Sequence, residues 1–491
     1  MSDPGSSPDV RPTLGRSRRR WPWAVVTAGL VLAVAVGALV VLRDDGPSYP
    51  DAWDPRVEPF VTIVEKQRGL TFEHPVEVRF LAADEFEKSV RTDRSELDDE
   101  DREDIEQAAS LYRAFGLISG DVDLFDAFDD ATGSGTLAYY SFDDRAITVR
   151  GTKLTRASHA TLVHELTHAV QDQRFDVADR LEELVEKAAD DEPTTAADAL
   201  QALVEGDAER VAGLYRQSLS ADDQEALEKA EAADTADSLG KLDDVPQVVV
   251  NLLGAPYALG EVLAEAVATR GQDDLDDLFD DPPPDDSVLL DPLAAIDGAG
   301  EATDVTVPST RKDEKKVDAG QIGSLLTYLM LAARIPVPDA LAAADARDGD
   351  AYVGFERDGV VCARVDYTTG SAAAATRLSS AFDAWIAADA GSTASVGRDG
   401  SNVTFESCDP GEGAAPADDA STEALELAAT RGYLAVTLLG SSPGASVDGA
   451  RCLSRRLVEE YSVTDLTDPE FGGGDDPAVT TRIRELAAGC R

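Results

Sequence analysis

Apolar and polar positions follow three regimes along the chain. Residues 21–42, WPWAVVTAGLVLAVAVGALVVL, contain no charged side chain. The stretch from Ala24 to Leu42 approaches the ~20 residues that carry a helix across a bilayer core. From 58 to about 345 the helical period dominates, interrupted by two strand-like passages. PVEVRFLA (75–82) alternates like a strand, and GTLAYYSFDDRAITVRG (135–151) predicts a hairpin, two β-rich runs around the turn-forming FDDR. A charged helical stretch lies between them, up to about Phe115, and long helical patterns cover 156–176 and 196–232. From about 350 short strands alternate with helices such as ATRLSSAFDAWIAA, the pattern of a separate α+β unit. DDPPPDD (280–286) fits neither helix nor central strand and marks a boundary or an ordered loop, and 309–316 reads as a solvated connection. No fixed-period repeat runs through the chain.

These patterns divide the chain into a basic tail (1–20), a transmembrane signal anchor (21–42), a Pro/Gly/Asp linker (43–57), a first globular domain (58–345) and a C-terminal α+β region (346–491). Arg11, Arg16, Arg18, Arg19 and Arg20 precede the apolar run, and only Arg43 follows it before Asp44 and Asp45. The excess of arginine on the N-terminal side places that end in the cytoplasm and everything after residue 43 outside the cell membrane, with a single span. Cysteine usage agrees with export. All four cysteines, Cys362, Cys408, Cys452 and Cys490, lie in the last third, and an even number in an exported segment reads as two disulfides. Cys362 and Cys408 both sit in strand-like sequence, which favours that pair and leaves Cys452 with Cys490. Charge narrows the partners. Ninety-five acidic against 44 basic residues, net −51, would be repelled by phosphates, so no nucleic acid is expected. Nothing in the pattern sets an oligomeric state.

The chemistry concentrates in residues 161–170, TLVHELTHAV, which hold two of the chain's four histidines. Positions i and i+4 share one face of an α-helix, so His164 and His168 point at one spot, where two imidazole nitrogens can bind one metal ion. Glu165 sits beside that spot without having to ligate, placed to take a proton from a water that the cation has made acidic. Leu162, Val163, Leu166, Ala169 and Val170 make the remaining faces apolar, as in a packed helix. A catalytic zinc takes three protein ligands. His159, about 140° round the helix from His164, and His74, near a distant strand start, are poorly placed. A carboxylate must complete the set, and ALQALVEGDAERV offers Glu205. Glu209 follows one turn later on the same face and would orient a histidine N–H, with Asp207 the weaker alternative for either role.

HELTHAVQDQRFD followed by ALVEGDAERV resembles the gluzincin, or thermolysin-like, branch of the HExxH zinc metallopeptidases. More narrowly, it is similar to a group of bacterial membrane-anchored predicted metallopeptidases. The likeness extends through FGLISGDVDL, GTLAYYSFDDRAITV and PYALGEVLAEAV, covering roughly 110–295, and departs from the group's pattern at DDSVLLDP and AYVGFERDG. The resemblance implies an α+β fold with a zincin-like core, an active-site helix packed on a small sheet plus a helical subdomain. It implies Zn2+ held by His164, His168 and Glu205, with Glu165 as the general base.

Zincins hold an extended substrate against a strand edge, which gives GTLAYYSF (135–142) a candidate role, with Tyr139 or Tyr140 lining the cleft. Tyr215, Tyr257 and His74 remain open as donors to the developing oxyanion. The sequence thus predicts a membrane-anchored, extracytoplasmic zinc metallopeptidase acting on a peptide or protein substrate. Two alternatives stand beside it: a zinc-containing binding or scaffold ectodomain, and a metal-dependent amidohydrolase acting on cell-wall material.

Overall fold

The computed structural model describes residues 49–490 apart from 93, 134–135, 190–193, 240–241, 243–244, 414–422, 442–444, 469–470 and 472–476. The predicted anchor at 21–42 and the basic tail lie outside the described residues.

The described chain is mixed α and β. Its first half runs α1 (Glu58–Arg68), β1 (Glu77–Leu81), α2 (Ala83–Val90), α3 (Asp99–Ala114), α4 (Leu124–Gly133), β2 (Ala138–Ser141), β3 (Ala146–Arg150), α5 (Ser158–Phe175), α6 (Val177–Ala189), α7 (Ala196–Ser218), α8 (Ala221–Leu239), α9 (Gln247–Ala268) and α10 (Gln272–Asp280). Two single turns, α11 (Ser287–Leu290) and α12 (Ala294–Asp297), lead to β4 (Lys315–Gly320), α13 (Gly323–Ala332), α14 (Val337–Ala344), β5 (Gly349–Arg357) and β6 (Val360–Thr368). Then come α15 (Ala372–Ala387), β7 (Ser395–Asp399), β8 (Asn402–Cys408), α16 (Ala424–Ser441), α17 (Val447–Glu460), α18 (Val463–Thr467) and α19 (Pro477–Ala488).

A small three-stranded sheet, in order β1-β3-β2, carries α5. β3 is central because its AITV run buries side chains on both faces, whereas β2 alternates buried and half-buried. β3 pairs parallel with β1 and antiparallel with β2 through the predicted hairpin, whose turn includes Arg145 at φ 51°. That leaves β2 on an edge. The second sheet, β4-β5-β6-β8-β7, is antiparallel throughout and takes β4 from before residue 346, so it is not confined to the predicted C-terminal region. Cys362 and Cys408 face each other across β6 and β8 and are disulfide-bonded, and a second bond joins Cys452 on α17 to Cys490. Both pairings are those favoured from sequence context.

Two boundaries differ from the sequence expectation. The helical pattern at 196–232 is two helices, because Leu219 is extended and the Ser220 hydroxyl, hydrogen-bonded to Asp223 and its backbone N–H, opens α8 afresh. The connection at 309–316 gives up its last two residues to β4.

α5, α7 and α9 form the helical centre. α9 is long and apolar enough to cross a membrane by length and composition, yet it is largely buried within the protein. It packs against α7 at a crossing of Gly206 and Gly260. A Cβ built on Gly206 would stand 1.9 Å from the Gly260 carbonyl carbon. Only hydrogen on both Cα atoms allows that approach. The apolar core is continuous from Val57 to Leu486, so helices of the C-terminal region, α16 among them, pack directly on α9.

Candidate metal centre

α5 is buried along nearly its whole length, yet it carries His164, Glu165, Thr167, His168, Gln171 and Asp172 inward. Buried polar side chains must find partners, and these find one another. His164 and His168 approach through their Nε2 atoms at 2.9 Å. Glu205, one turn before Glu209 on α7, places Oε2 3.1 Å from His164 Nε2 and 3.2 Å from His168 Nε2. These three residues each offer a ligand atom within 4.8 Å of the others, the one such group among the described residues, and they could hold a metal ion.

The donor set fits a metal on chemical grounds. Two imidazole nitrogens at contact distance repel when both present lone pairs, and a dication shared with the carboxylate removes that conflict. Donors around a tetrahedral zinc with bonds of ~2.0–2.1 Å stand about 3.3–3.4 Å apart, a few tenths of an ångström from the separations found. Electrostatics shows the same demand for positive charge. Burial disfavours a charged His164, but Glu205 and Glu209 outweigh it and hold the ring well above its usual value. Burial likewise opposes ionisation of Glu205, and the two histidines overcome that to hold its carboxyl well below the usual range.

Glu165 stays out of the ligand group. Its Oε2 accepts the Tyr140 backbone N–H at 2.7 Å, and burial, partly offset by the histidines, raises its carboxyl above the ordinary value. The Tyr140 hydroxyl donates to Asp172 Oδ2 at 2.9 Å, and Asp172 also caps Ala178 N–H and faces Arg145. β2 is thereby pinned to α5 beside the histidines. Tyr140 N–H points away from β3, so Ala138, two residues earlier, presents its N–H and C=O along that same edge.

A cleft of about 320 Å³ opens over the group, lined by Tyr139, Tyr140, His164, Glu165, His168, Glu205 and Tyr257. Val90, Ala131, Leu253 and Phe142 add apolar surface to the lining, and Asp143 adds a carboxylate. Tyr139 and Tyr140, of which the sequence predicts one or the other at the cleft, both line it.

Of the three oxyanion-donor candidates the structure brings only Tyr257 to the cleft. Its ring lies 5.9 Å from that of His164 and nearly parallel to it, and the charge on Glu205 holds the phenol well above its usual value. Tyr215 is buried against Phe60, and His74 stacks on Tyr49, outside the cleft. His159 packs on Phe60 and takes no part. Glu209 reaches within 3.1 Å of His164 Nδ1, as expected of an orienting carboxylate, but not in line for a hydrogen bond. Asp207 is neither a ligand nor a histidine partner. It is fully buried, and Arg68, Arg210 and Gln171 surround it.

Sequence reasoning passed over Gln171 and Arg68. Gln171 lies three residues after His168 on the same face, so helical spacing could have flagged it. Arg68 has no local signal, since its partner is 139 residues away. Comparison with family models, curated proteins and solved structures yields no match for this chain.

Proposed function

We propose that this chain is a zinc-dependent peptidase with a zincin-like catalytic core of the gluzincin type, anchored in the cell membrane by residues 21–42 and acting outside the cytoplasm. The observation that carries the reading is the convergence of His164, His168 and Glu205 on one point, with the non-ligating Glu165 beside them and a strand edge alongside. A structural metal site has no use for a buried carboxylate held just outside the ligands.

Bound there, Zn2+ would supply Lewis acidity, polarising a scissile carbonyl and making water acidic. The remaining work falls to the chain's own groups. Glu165 takes the proton from the attacking water and passes it to the leaving amine. Ala138, on the cleft side of β2, hydrogen-bonds an extended peptide as an added strand would. The Tyr257 hydroxyl donates to the oxygen on which negative charge develops. The apolar part of the lining accepts an apolar side chain, and Asp143 disfavours an acidic one. Two disulfides in the exported region support the extracytoplasmic placement.

The test is metal content and cleavage of unfolded casein by the full chain in detergent, beside Glu165→Gln. We expect one zinc per chain in both, cleavage in the parent and a loss of at least 100-fold in the variant, in the range of removing a general base. One zinc in both with no cleavage in either would favour a binding ectodomain, and equal cleavage in both would remove Glu165 from the role of base. A folded parent that takes up no metal would end the peptidase reading.

A further inference from the structure

Behind His168 lies a buried polar chain that leads away from the cleft. His168 Nδ1 is 3.1 Å from Gln171 Oε1. The Gln171 Nε2 atom donates twice, to the Val204 carbonyl at 3.1 Å and to Asp207 Oδ2 at 3.0 Å. Both acceptors flank Glu205 on α7. Asp207 Oδ2 also accepts from Arg68 Nε at 2.5 Å, and Arg68 reaches Asp276 on α10 at 2.6 Å. Arg210 closes the other side of Asp207 at 3.3 Å. Gln171, Arg68 and Asp207 are all fully buried.

This chain has one self-consistent set of hydrogen positions. A carbonyl and a carboxylate only accept, so the Gln171 group facing them must be its NH2. Its oxygen then faces His168 and can only accept. His168 must therefore carry its proton on Nδ1, which leaves the Nε2 lone pair aimed at Glu205 and His164. A metal-ligating histidine needs that tautomer, and the partner that fixes it also fixes the ring's orientation.

We infer that Gln171 is a positioning residue that sets the tautomer of His168 and, through Val204 and Asp207, holds the α5 ligands in register with Glu205 on α7. Arg68 and Asp207 are the counterweight: they deny Gln171 its flipped orientation, because a flipped amide would set its oxygen against the Asp207 carboxylate. The inference rests on the metal-site reading above and goes beyond it, since neither the HExxH spacing nor the Glu205–Glu209 spacing names any of these residues.

The test is Zn2+ affinity of the full chain, stripped of metal and titrated against a chromophoric chelator, together with the visible spectrum of its Co2+ form. Gln171→Met keeps the volume but removes both hydrogen-bonding ends. We expect its Zn2+ affinity to fall 10–100-fold, the range for loss of a ligand's supporting partner, with a changed Co2+ spectrum. Gln171→Glu keeps an acceptor for His168, and beside Asp207 its other oxygen takes up a proton and donates to that carboxylate, giving up only the bond to the Val204 carbonyl. Its affinity should stay within about threefold of the parent by the same supporting-partner logic. Circular dichroism and thermal unfolding of the metal-free proteins separate a folding defect from a site defect. A folded Gln171→Met protein with parental affinity and spectrum would overturn the inference, as would a Gln171→Glu protein as weak as Gln171→Met. A parent that binds neither Zn2+ nor Co2+ would overturn the metal-site reading, and this inference with it.

Discussion

At the scale of single residues, the site is built by burying charges that only one another can satisfy. Arg68 is the extreme case, with a guanidinium fully enclosed against Asp207 and Asp276. Replacing it with methionine would leave the buried Asp207 with only the longer Arg210 pair and the Gln171 amide, and breaking a buried pair from one side costs about 3–5 kcal/mol. We expect Arg68→Met to lower the urea midpoint by an amount of that order. Arg68→Met combined with Asp207→Asn should recover part of it, because no charge is then stranded. A double variant no more stable than the single one would show that packing, not charge, dominates there. The local pairs in this network are legible in the sequence: i, i+4 spacing suffices to bring His164 to His168 and Glu205 to Glu209. The remote ones are not, since nothing near Arg68 in the chain announces an aspartate 139 residues on.

Elements contribute register. His164 and Glu205 meet because α5 and α7 lie side by side, and α9 holds α7 in place at the Gly206–Gly260 crossing. Gly206 immediately follows Glu205, and the atoms its Cβ would strike are backbone, which cannot rotate away. Gly206→Ala must therefore part the helices. Overpacking of this kind costs roughly 1–3 kcal/mol and occasionally more, and here it also shifts Tyr257 on α9 relative to Glu205. We expect lower thermal stability together with weaker metal binding. A stability loss with parental metal affinity would mean that the shift is absorbed away from the site.

Alternation and turn composition suffice to locate β1, β2 and β3 along the chain. Their order in the sheet is not legible in the same way, because β1 pairs with β3 in parallel across 69 residues holding three helices. Hydrophobic periodicity reports which face of an element is buried, not what buries it.

Across the whole molecule, the loop that opens with three prolines joins the two halves. Asp285 forms a two-pronged pair with Arg347, and Asp286 accepts the Ser324 and Leu325 N–H groups at the start of α13 while meeting the Thr195 hydroxyl before α7. Proline composition predicts a boundary or an ordered loop; the structure shows an ordered loop whose aspartates are inside. The two carboxyls cannot ionise with equal ease. Burial opposes both charges, but Arg347 holds Asp285 below its usual value, while burial and then Asp285 push Asp286 up to about 7.

The sign of the pH effect follows. A carboxyl that binds its proton more tightly folded than unfolded adds stability in the protonated state. That contribution is complete below the unfolded value near 4 and is lost as the pH rises toward 7. For Asp286 it amounts to a few kcal/mol at most, on the scale of ~1.4 kcal/mol per pH unit. Asp286→Asn cannot ionise and keeps an oxygen for one of the two α13 N–H groups, a loss that is the same at every pH. At constant ionic strength, urea unfolding of the parent should shift to lower midpoint between pH 5 and pH 8, and the asparagine variant should shift less. Repulsion among the many surface carboxylates acts on both proteins alike, so it cancels in the comparison. Equal shifts would place the pH sensitivity elsewhere and leave Asp286 ionised throughout, held by the α13 N-terminus and Arg347.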